Sequence, residues 1–324
     1  MTNNNIRKLR VGFVGAGSRS RTAHYPCVSR LDNVEIVAAC ELDEDRLNAV
    51  VKDYRIPRTF SDHREMLDAV ELDVVYCVMR EQYLLQPALD ILNAGRHLFV
   101  EKPPGKDINE VRQISAAAKA NDRFVMVGFQ RRYAAVTREA MRLVREKGPV
   151  SLVTASFNKQ LLGGDGTEIT TTLWNDVSHI VDLVRFMAGG EAVEVTAFRD
   201  CFGGKSRNSY TALIRFDNGA TGIVMGNRAS GGRVLRAELH GVGVGCYLKL
   251  PEEIEIFEDN ESRKLNGWEF DGGDPSDEDS FEGVLEMHRH FAQCVRDHAI
   301  PSSDIRDAVH TMELVNRIEG PESR

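Results

Sequence analysis

The sequence predicts an α/β protein with two parts: an N-terminal doubly wound parallel sheet (a Rossmann arrangement), then an α/β domain with a large, mostly antiparallel open sheet. Two observations carry this prediction. Over residues 9–129, short apolar runs alternate with helical segments, which favours a right-handed parallel sheet. After Gly148-Pro149 the runs are strand-like, with few helices between them, which is typical of an antiparallel sheet that covers its core with one face.

Composition limits the function classes. A chain of 324 residues favours two domains, and 42% hydrophobic with 28% charged residues is ordinary for globular cores. A net charge of −8 gives no overall attraction to nucleic acid or to an anionic membrane, so neither is expected as a partner. No apolar run approaches the ~20 residues of a spanning helix, and no signal-peptide core is seen. Six scattered cysteines without a Cys-x-x-Cys motif lead us to expect a reduced, cytoplasmic location.

A glycine-rich turn follows the first apolar run, LRVGFV. Gly15 and Gly17 begin a G-x-G-x-x-G pattern in which Ser20 takes the third place. The two glycines permit a tight turn and close approach of a pyrophosphate to the backbone. A helix beginning near Ser18 would direct its free N–H groups at that phosphate. The turn therefore predicts a dinucleotide site.

The second strand, residues 34–40, ends at Glu41, which stands at the fingerprint's expected distance from the glycines. A carboxylate there accepts hydrogen bonds from ribose hydroxyls and repels a 2′-phosphate, so NAD is favoured. NADP stays possible because Arg19, Arg21 and Arg46 are close in sequence. The alternative is that Glu41 is a solvated carboxylate at a strand end.

The run HLFVEKPP, residues 97–104, has the features of a buried strand followed by a candidate acid/base. Lys102 comes where that strand stops, at the edge where open α/β sheets bind ligands, and two prolines stiffen its backbone. The alternative is a surface lysine before a loop. The other expected elements of this half are helices over 43–53, 61–70, 84–94 and 108–120, with strands near 59–60, 73–79 and 123–129.

One helical stretch, residues 173–188, interrupts the strands of the second half. In it Asn175, Asp176, His179 and Asp182 are spaced by three and four residues, which predicts one shared helix face. The alternative for His179 is a hydrogen-bonded core or rim residue. We expect further helices over 133–147, 281–298 and 303–319, and a solvated loop over the acidic stretch 259–282. No metal site is expected, because His288 and His290 lack a partner at ligand spacing.

Five segments together resemble the glucose–fructose oxidoreductase/inositol dehydrogenase family, often called Gfo/Idh/MocA. They are GFVGAGSRS, CELDEDR, ALDILNAGRHLFVEKPP, VGFQRRY and WNDVSHIVDLVRF, and the resemblance covers nearly the whole chain. It implies a Rossmann NAD(P)-binding domain over residues 1–128, a substrate-binding and oligomerisation domain over 129–302, and a C-terminal helix at 303–324 that packs back on the first domain. It also implies dimers or tetramers through the large sheet.

The resemblance implies hydride transfer between nicotinamide and a secondary alcohol or ketone of a sugar, sugar acid or cyclitol. Lys102 and His179 match the family's acid/base positions, and the Lys102–Pro103 bond is often cis in the family. Asn175, with Asp176 beside it, stands where the family has an aspartate. The residues expected at the cofactor are Gly15, Gly17, Ser18, Arg19, Ser20, Glu41, Arg46, Met79, Arg80, Glu101, Lys102 and Gln130, and those at the substrate are Lys102, Arg131, Trp174, Asn175, Asp176 and His179.

The chain departs from the family pattern at Met79-Arg80, where Thr-Pro is usual. Arg80, Arg131 and Arg132 would make the nicotinamide pocket more cationic than usual, so a carboxylated or phosphorylated sugar is a hypothesis. Two further classes stay open. One is a glycoside hydrolase or lyase that oxidises its substrate transiently with tightly held NAD, and the other is a non-catalytic NAD or sugar sensor.

Overall fold

The computed structural model describes residues 7–162, 170–270 and 273–320. The chain forms two compact units. The first consists of Met1–Gly128 with Val284–Ala308, and the second of Phe129–Gly283 with Val309–Arg324.

The first unit contains a fully parallel sheet of six strands, in the order β3-β2-β1-β4-β5-β6. This doubly wound sheet confirms the predicted fold class. The order reverses between β1 and β4, which is where such sheets bind ligands beyond their carboxyl ends. The strands are β1 Leu9–Val14, β2 Val34–Cys40, β3 Arg58–Phe60, β4 Val74–Cys77, β5 His97–Val100 and β6 Val125–Val127.

Three helices of the first unit, α2, α3 and α5, start at an aspartate that caps them. Asp43, Asp62 and Asp107 each accept a hydrogen bond from a backbone N–H of the first helical turn. The helices are α1 Tyr25–Ser29, α2 Glu44–Tyr54, α3 His63–Ala69, α4 Leu85–Asn93, α5 Ile108–Ala120 and, late in the chain, Val284–Asp297. Among the described residues, no helix has both the length and the apolar character needed to cross a bilayer.

The second unit contains an eight-stranded sheet in the order β14-β13-β12-β11-β7-β10-β9-β8. Only the β7–β10 pair is parallel, so the sheet is mostly antiparallel, as predicted. Helices Ala135–Lys147 and Ser178–Ala188 cover one face. The strands are β7 Leu152–Gln160, β8 Ala192–Asp200, β9 Ser209–Phe216, β10 Thr221–Asn227, β11 Ala229–Gly241, β12 Val244–Lys249, β13 Glu253–Glu258 and β14 Glu261–Asn266.

The predicted solvated loop at 259–282 is wrong over much of its length. Glu261–Asn266 is an edge strand, and it is followed by short helices at Gly267–Glu269 and Glu278–Glu282. Backbone pairing with β13 forms this strand, and its basic side chains lie near acidic residues of β13: Lys264 near Glu253 and Glu255, and Arg263 near Glu258.

The C-terminal segments divide differently from the expected boundary at residue 302. Val284–Asp297 belongs to the first unit, because Phe291 and His288 pack on Tyr76 and Phe99 of its sheet. The last helix, Ile305–Glu319, has only Ile305–Ala308 in the first unit. Gly283, at φ +104°, ends the preceding short helix, so the predicted 281–298 helix begins at Val284.

Candidate functional site

The carboxyl ends of five strands in the first unit lie in one row. Strand register pairs Cys40 with Val14, Val14 with Cys77, Cys77 with Val100, and Val100 with Val127. The residues that follow these strand ends are therefore neighbours at one sheet edge: Glu41, Gly15, Val78, Glu101 and Gly128. Tertiary structure thus brings Glu41, the glycine turn and the EKPP run together.

The glycine turn is tight on one side and open on the other. Gly15 has φ +104°, and a Cβ there would lie 2.2 Å from the Val78 carbonyl oxygen. Its N–H donates to the Cys40 carbonyl at 2.8 Å. A Cβ on Gly17 would meet nothing within 4 Å. The turn therefore leaves space on its Gly17 side, as a pyrophosphate requires.

A helix begins at Ser18, directly after the turn, and forms a π-helical turn over Ser20–His24. Ser18 is exposed at this start, which fits a phosphate-binding role. Ser20 differs from expectation, because its side chain is fully buried and its hydroxyl has no hydrogen-bond partner within the described residues. The residue at the third-glycine place is therefore part of the interior rather than the exposed surface of the turn.

Glu41 is fixed by backbone amides at the rim of the turn. One carboxylate oxygen accepts from Ala16 N–H at 2.7 Å, and the other accepts from Leu42 and Asp43 N–H at 2.9 and 3.1 Å. Arg46, a candidate partner for a 2′-phosphate, instead lies 3.2 Å from an Asp43 oxygen. This combination of a fixed carboxylate and a paired arginine fits the adenosine ribose of NAD.

The EKPP run is tied to the same helix. Glu101 accepts from Arg19 Nε at 2.9 Å, from His24 Nε2 at 2.8 Å and from the Lys102 N–H at 3.0 Å. Burial alone raises the pKa of Glu101, but the hydrogen bond from His24 and the charge of Arg19 hold that pKa well below its usual value. Arg19 therefore faces the EKPP run.

Lys102 is half-buried, and the Lys102–Pro103 peptide bond is cis. Met79 is half-buried and Arg80 is exposed, and both follow strand β4 at the same sheet edge. The first unit thus has a lysine at the carboxyl edge of its parallel sheet, and the Glu101 carboxylate accepts a hydrogen bond from the backbone N–H of that lysine.

In the second unit, the polar residues of the 173–188 stretch do not all share one environment. Asn175 and Asp176 are half-buried on a π-helical turn, Leu173–Val177, while His179 is 9% exposed on the following helix. Trp174 is buried beside them. Asp182 is fully buried and is taken up by an ion pair with Arg132.

Two cations that the sequence analysis missed contact Asp176. Lys159 Nζ donates to both Asp176 oxygens at 2.9 and 2.8 Å, and Arg228 Nη2 lies 2.8 Å from one of them. Arg228 is fully buried and lies between strands β10 and β11, far from Asp176 in sequence. No local sequence pattern therefore indicates this contact. A carboxylate held by two cations is less available to accept a proton.

Two of the three arginines expected to make the nicotinamide pocket cationic are buried and paired with carboxylates. Arg131, 6% exposed, lies 3.0 Å from a Glu282 oxygen, and Arg132 is paired with Asp182, so both charges have local carboxylate partners. Gln130 is also buried. Of the three arginines, only Arg80 is exposed.

Two histidines form a buried pair that the sequence did not indicate. His24 Nδ1 lies 3.0 Å from His288 Nε2, and both side chains are fully buried. His290, the other histidine of the MHRH run, accepts instead from the Ser302 N–H. The described residues contain no cluster of ligands suited to a metal ion.

Comparison with known proteins matches residues 9–129 to an oxidoreductase family with an NAD-binding Rossmann fold, and residues 138–243 to the C-terminal domain of that family, Gfo/Idh/MocA. The first unit is thus an NAD-binding Rossmann domain, and the residues of its glycine turn fit that cofactor.

Among similar proteins is the 1-carboxy-3-chloro-3,4-dihydroxycyclohexa-1,5-diene dehydrogenase of Comamonas testosteroni, 26% identical over 67% of this chain and 57% of the relative. A myo-inositol 2-dehydrogenase of Thermotoga maritima is 25% identical over 68% of this chain and 69% of the relative. A putative oxidoreductase of Salmonella typhimurium is 28% identical over 58% of this chain, and the match spans 59% of its own length. The matches to the Comamonas and Salmonella relatives therefore span less than two thirds of those proteins.

Solved structures share the fold over almost the whole chain. A dehydrogenase from Chromobacterium violaceum has a TM-score of 0.87 at 20% identity and covers 96% of this chain and 94% of its own. A levoglucosan dehydrogenase in complex with NADH and levoglucosan has a TM-score of 0.84 at 17% identity, covering 97% and 96%. With both family domains matched along the sequence, this chain belongs to the Gfo/Idh/MocA oxidoreductase family.

Proposed function

We propose that this protein is an NAD(P)-dependent oxidoreductase that transfers a hydride between nicotinamide and a secondary alcohol or ketone of a sugar, sugar acid or cyclitol. The observation that carries the proposal is the row of strand ends in the first unit. That row puts the glycine turn, the carboxylate of Glu41 and the Glu101-Lys102 pair at one sheet edge. Bound NAD supplies a hydride acceptor at nicotinamide C4.

Each cofactor residue has a specific task in this proposal. The Gly15–Gly17 turn and the helix that begins at Ser18 bind the pyrophosphate through backbone N–H groups. Glu41 accepts from a ribose hydroxyl with the lone-pair position that its three backbone donors leave, and it disfavours a 2′-phosphate, so NAD is preferred to NADP. Met79 and Arg80 follow strand β4 at the same edge and are proposed to line the nicotinamide end.

Lys102 is proposed as the acid/base. Its amine takes the proton of the substrate hydroxyl as the C–H hydride leaves, and returns it in the reduction. His179 is the second acid/base candidate, and Asn175 orients a hydroxyl because an amide cannot accept its proton. Trp174, Asp176 and Arg131 are the other proposed substrate residues. The ion pairs at Asp176 and Arg131 favour a role in shaping the site over a role in proton transfer.

The relatives' names support a polyhydroxylated ring as the substrate class. They include a myo-inositol 2-dehydrogenase, a D-glucoside 3-dehydrogenase and a trans-1,2-dihydrobenzene-1,2-diol dehydrogenase. All three names specify oxidation of a ring substrate. A neutral cyclic polyol is therefore favoured over the phosphorylated sugar hypothesis, since Arg131 and Arg132 are paired.

The deciding experiment is a screen of sugars, cyclitols and uronates with NAD and NADP, followed by absorbance of the reduced nicotinamide. We expect NAD-dependent oxidation of a ring polyol that is lost in Lys102→Ala, while calorimetry shows NAD binding within about threefold of wild type. Bond cleavage without net NADH would favour the transient-oxidation class, and NAD binding without any turnover would favour a sensor.

We also propose that the second unit forms a homodimer or homotetramer through its sheet. The face opposite the helices exposes large apolar side chains in two groups that strand register puts on one side: Phe198, Leu213 and Met225 on β8–β10, and Tyr247 and Phe257 on β12–β13, with β7 and β11 between them. Exposed large apolar side chains gathered on one sheet face are typical of a protein–protein interface. A cytoplasmic location stays a prediction from cysteine usage.

A further inference from the structure

Glu101 is the meeting point of the cofactor helix and the lysine backbone. Its carboxylate is 11% exposed and receives three hydrogen bonds, from Arg19, His24 and the main chain of Lys102. A carboxylate offers about four lone-pair positions, so three donors leave it little freedom to rotate. Arg19 and His24 both lie on the helix that starts at the glycine turn. One side chain thus connects that helix to Lys102.

The space around this carboxylate is closed on the neighbouring strand as well. Gly128 follows strand β6, and its N–H donates to the Val100 carbonyl. A Cβ on Gly128 would lie 3.0 Å from Glu101 Oε2 and 3.2 Å from its carboxyl carbon. Any side chain at residue 128 would displace the carboxylate by some tenths of an ångström. The glycine is needed for close approach rather than for a turn.

His24 and His288 extend the hydrogen bonds into the core. Burial lowers the pKa of His288 well below its usual value, so its ring is neutral. His24 Nε2 donates to the Glu101 carboxylate, and His24 Nδ1 lies 3.0 Å from His288 Nε2, where the tautomer decides which ring donates. The two hydrogen bonds connect His288 through His24 to Glu101. The π-helical turn at Ser20–His24 carries this buried ring, and such turns are frequent at functional sites.

We propose that Glu101 is a positioning residue that couples the cofactor turn to the placement of Lys102, with His24 and His288 holding its carboxylate in orientation. The inference rests on the proposed function in taking Lys102 as the acid/base. Arg19 is the cofactor-side member of this coupling, because it lies between the exposed start of the helix and the carboxylate. Loss of the carboxylate leaves the NAD turn intact but releases the backbone of Lys102.

The test compares Glu101→Gln and Gly128→Ala with Asp90→Asn. Asp90 is a matched control in the same unit, since its carboxylate also accepts from a histidine Nε2 and an arginine Nε, those of His63 and Arg64, at 2.9 Å each. Three readouts are taken: the Kd for NAD by calorimetry, kcat with the best polyol, and the rate at which trace acetic anhydride labels the Lys102 amine, measured by mass spectrometry with and without NAD. The labelling needs no turnover.

In Glu101→Gln the amide turns one acceptor into a donor that faces the Lys102 N–H. We expect kcat to fall about 10–100-fold, as for an ångström-scale misplacement of a catalytic group, while NAD binding is retained. In the wild-type protein NAD should change the rate at which the Lys102 amine is labelled, and in Glu101→Gln this change should disappear. Gly128→Ala, which keeps every hydrogen-bonding group, should shift both readouts in the same direction by a smaller factor, so the proposal stays testable where Glu101→Gln folds poorly.

The inference is overturned if Glu101→Gln and Gly128→Ala match Asp90→Asn in kcat and in Lys102 labelling. It is also overturned if Glu101→Gln loses NAD binding and turnover in the same proportion, since that outcome indicates a general loss of structure. Absence of turnover in the wild-type protein would defeat the proposed function, whereas the labelling comparison would still decide the coupling.

Discussion

Arg132 and Asp182 form a bidentate ion pair in the second unit, with Nε–Oδ2 and Nη2–Oδ1 distances of 2.8 and 2.5 Å. Their side chains are 2% and 0% exposed. Thr311 adds a hydroxyl donor to the same carboxylate at 3.0 Å, and the Phe186 ring lies 4.9 Å from the guanidinium carbon. Arg132 and Asp182, which the sequence suggested as ligand-facing residues, thus neutralise each other in the protein interior.

Breaking this pair should cost much more than breaking a surface pair. Asp182→Asn leaves the Arg132 charge buried without its counter-charge, so we expect a loss of about 3–5 kcal/mol in the free energy of unfolding. Urea denaturation followed by circular dichroism measures it. Glu146→Gln, which removes an exposed partner of Arg142, should cost about 0–1 kcal/mol. Equal losses of unfolding free energy in the two variants would show that the buried pair contributes no more to stability than the exposed one.

Alanine at the two glycines of the turn should separate stability from cofactor binding. Gly15→Ala forces a side chain into the Val78 carbonyl at positive φ, so both the melting temperature and NAD affinity should fall. Gly17→Ala meets no protein atom within 4 Å, so the melting temperature should stay within about 2 °C while NAD affinity falls at least about tenfold. Differential scanning fluorimetry and calorimetry give the two values. Unchanged NAD affinity in Gly17→Ala would exclude the pyrophosphate from this side of the turn.

Glu41→Gln tests the preference for NAD. The neutral amide accepts weaker hydrogen bonds and no longer repels a 2′-phosphate, so NAD affinity should fall about tenfold and the ratio of NADP to NAD affinity should rise. Titration with both nucleotides measures this. Glu44→Gln, an exposed carboxylate on the next helix, serves as control. If both variants change the affinities for NAD and NADP by the same factors, Glu41 acts only as part of the general negative surface charge and not through a direct contact with the ribose.

Acid should destabilise the first unit through His97. Its Nδ1 accepts from the Phe124 N–H at 3.0 Å, and burial, with the charge of Arg123, lowers the pKa of His97 from 6.5 to about 4. Because the unfolded chain then binds the proton more readily, stability is lost as the pH falls from 6.5 towards 4. We expect His97→Asn, which keeps an acceptor, to reduce the loss between pH 7 and pH 5 by about 1–2 kcal/mol.

Urea unfolding at several pH values gives the measurement for His97. His310→Asn removes a histidine with a half-exposed side chain in the second unit and is the control. A pH dependence in His97→Asn identical to that of wild type would contradict the assignment.

The apolar sheet face predicts a change of oligomeric state. Leu213→Glu puts a charge on β9, between Phe198 of β8 and Met225 of β10, and analytical ultracentrifugation should show the protein shifting to monomers. Ile300→Glu, at an apolar residue with 62% exposure in the first unit, should leave the oligomer unchanged. A monomeric wild-type protein would defeat the proposed interface.

Local patterns in the sequence were enough for much of the architecture. Strands Leu9–Val14 and Val34–Cys40 and helix Ile108–Ala120 have the predicted bounds, because apolar period, capping and glycine turns are local signals. Glycine spacing and Glu41 likewise indicated an NAD fold. The edge strand Glu261–Asn266 within the acidic stretch 259–282 was missed, because its pairing with β13 depends on strands brought together by the fold.

Tertiary structure decided which charges are available and which residues meet. The sequence suggested Arg131 and Arg132 as ligand-binding cations, but in the folded protein they pair with Glu282 and Asp182. The chain from His288 through His24 to Glu101 joins residues 264 and 77 positions apart, a relationship that no local spacing encodes. Hydrogen bonds and ion pairs act over a few ångströms, so their partners are set by strand order and register. The hydrophobic periodicity and glycine spacing of the sequence determined that the chain has a dinucleotide-binding fold. Tertiary packing determined which side chains hold the backbone of Lys102 at the edge of that sheet.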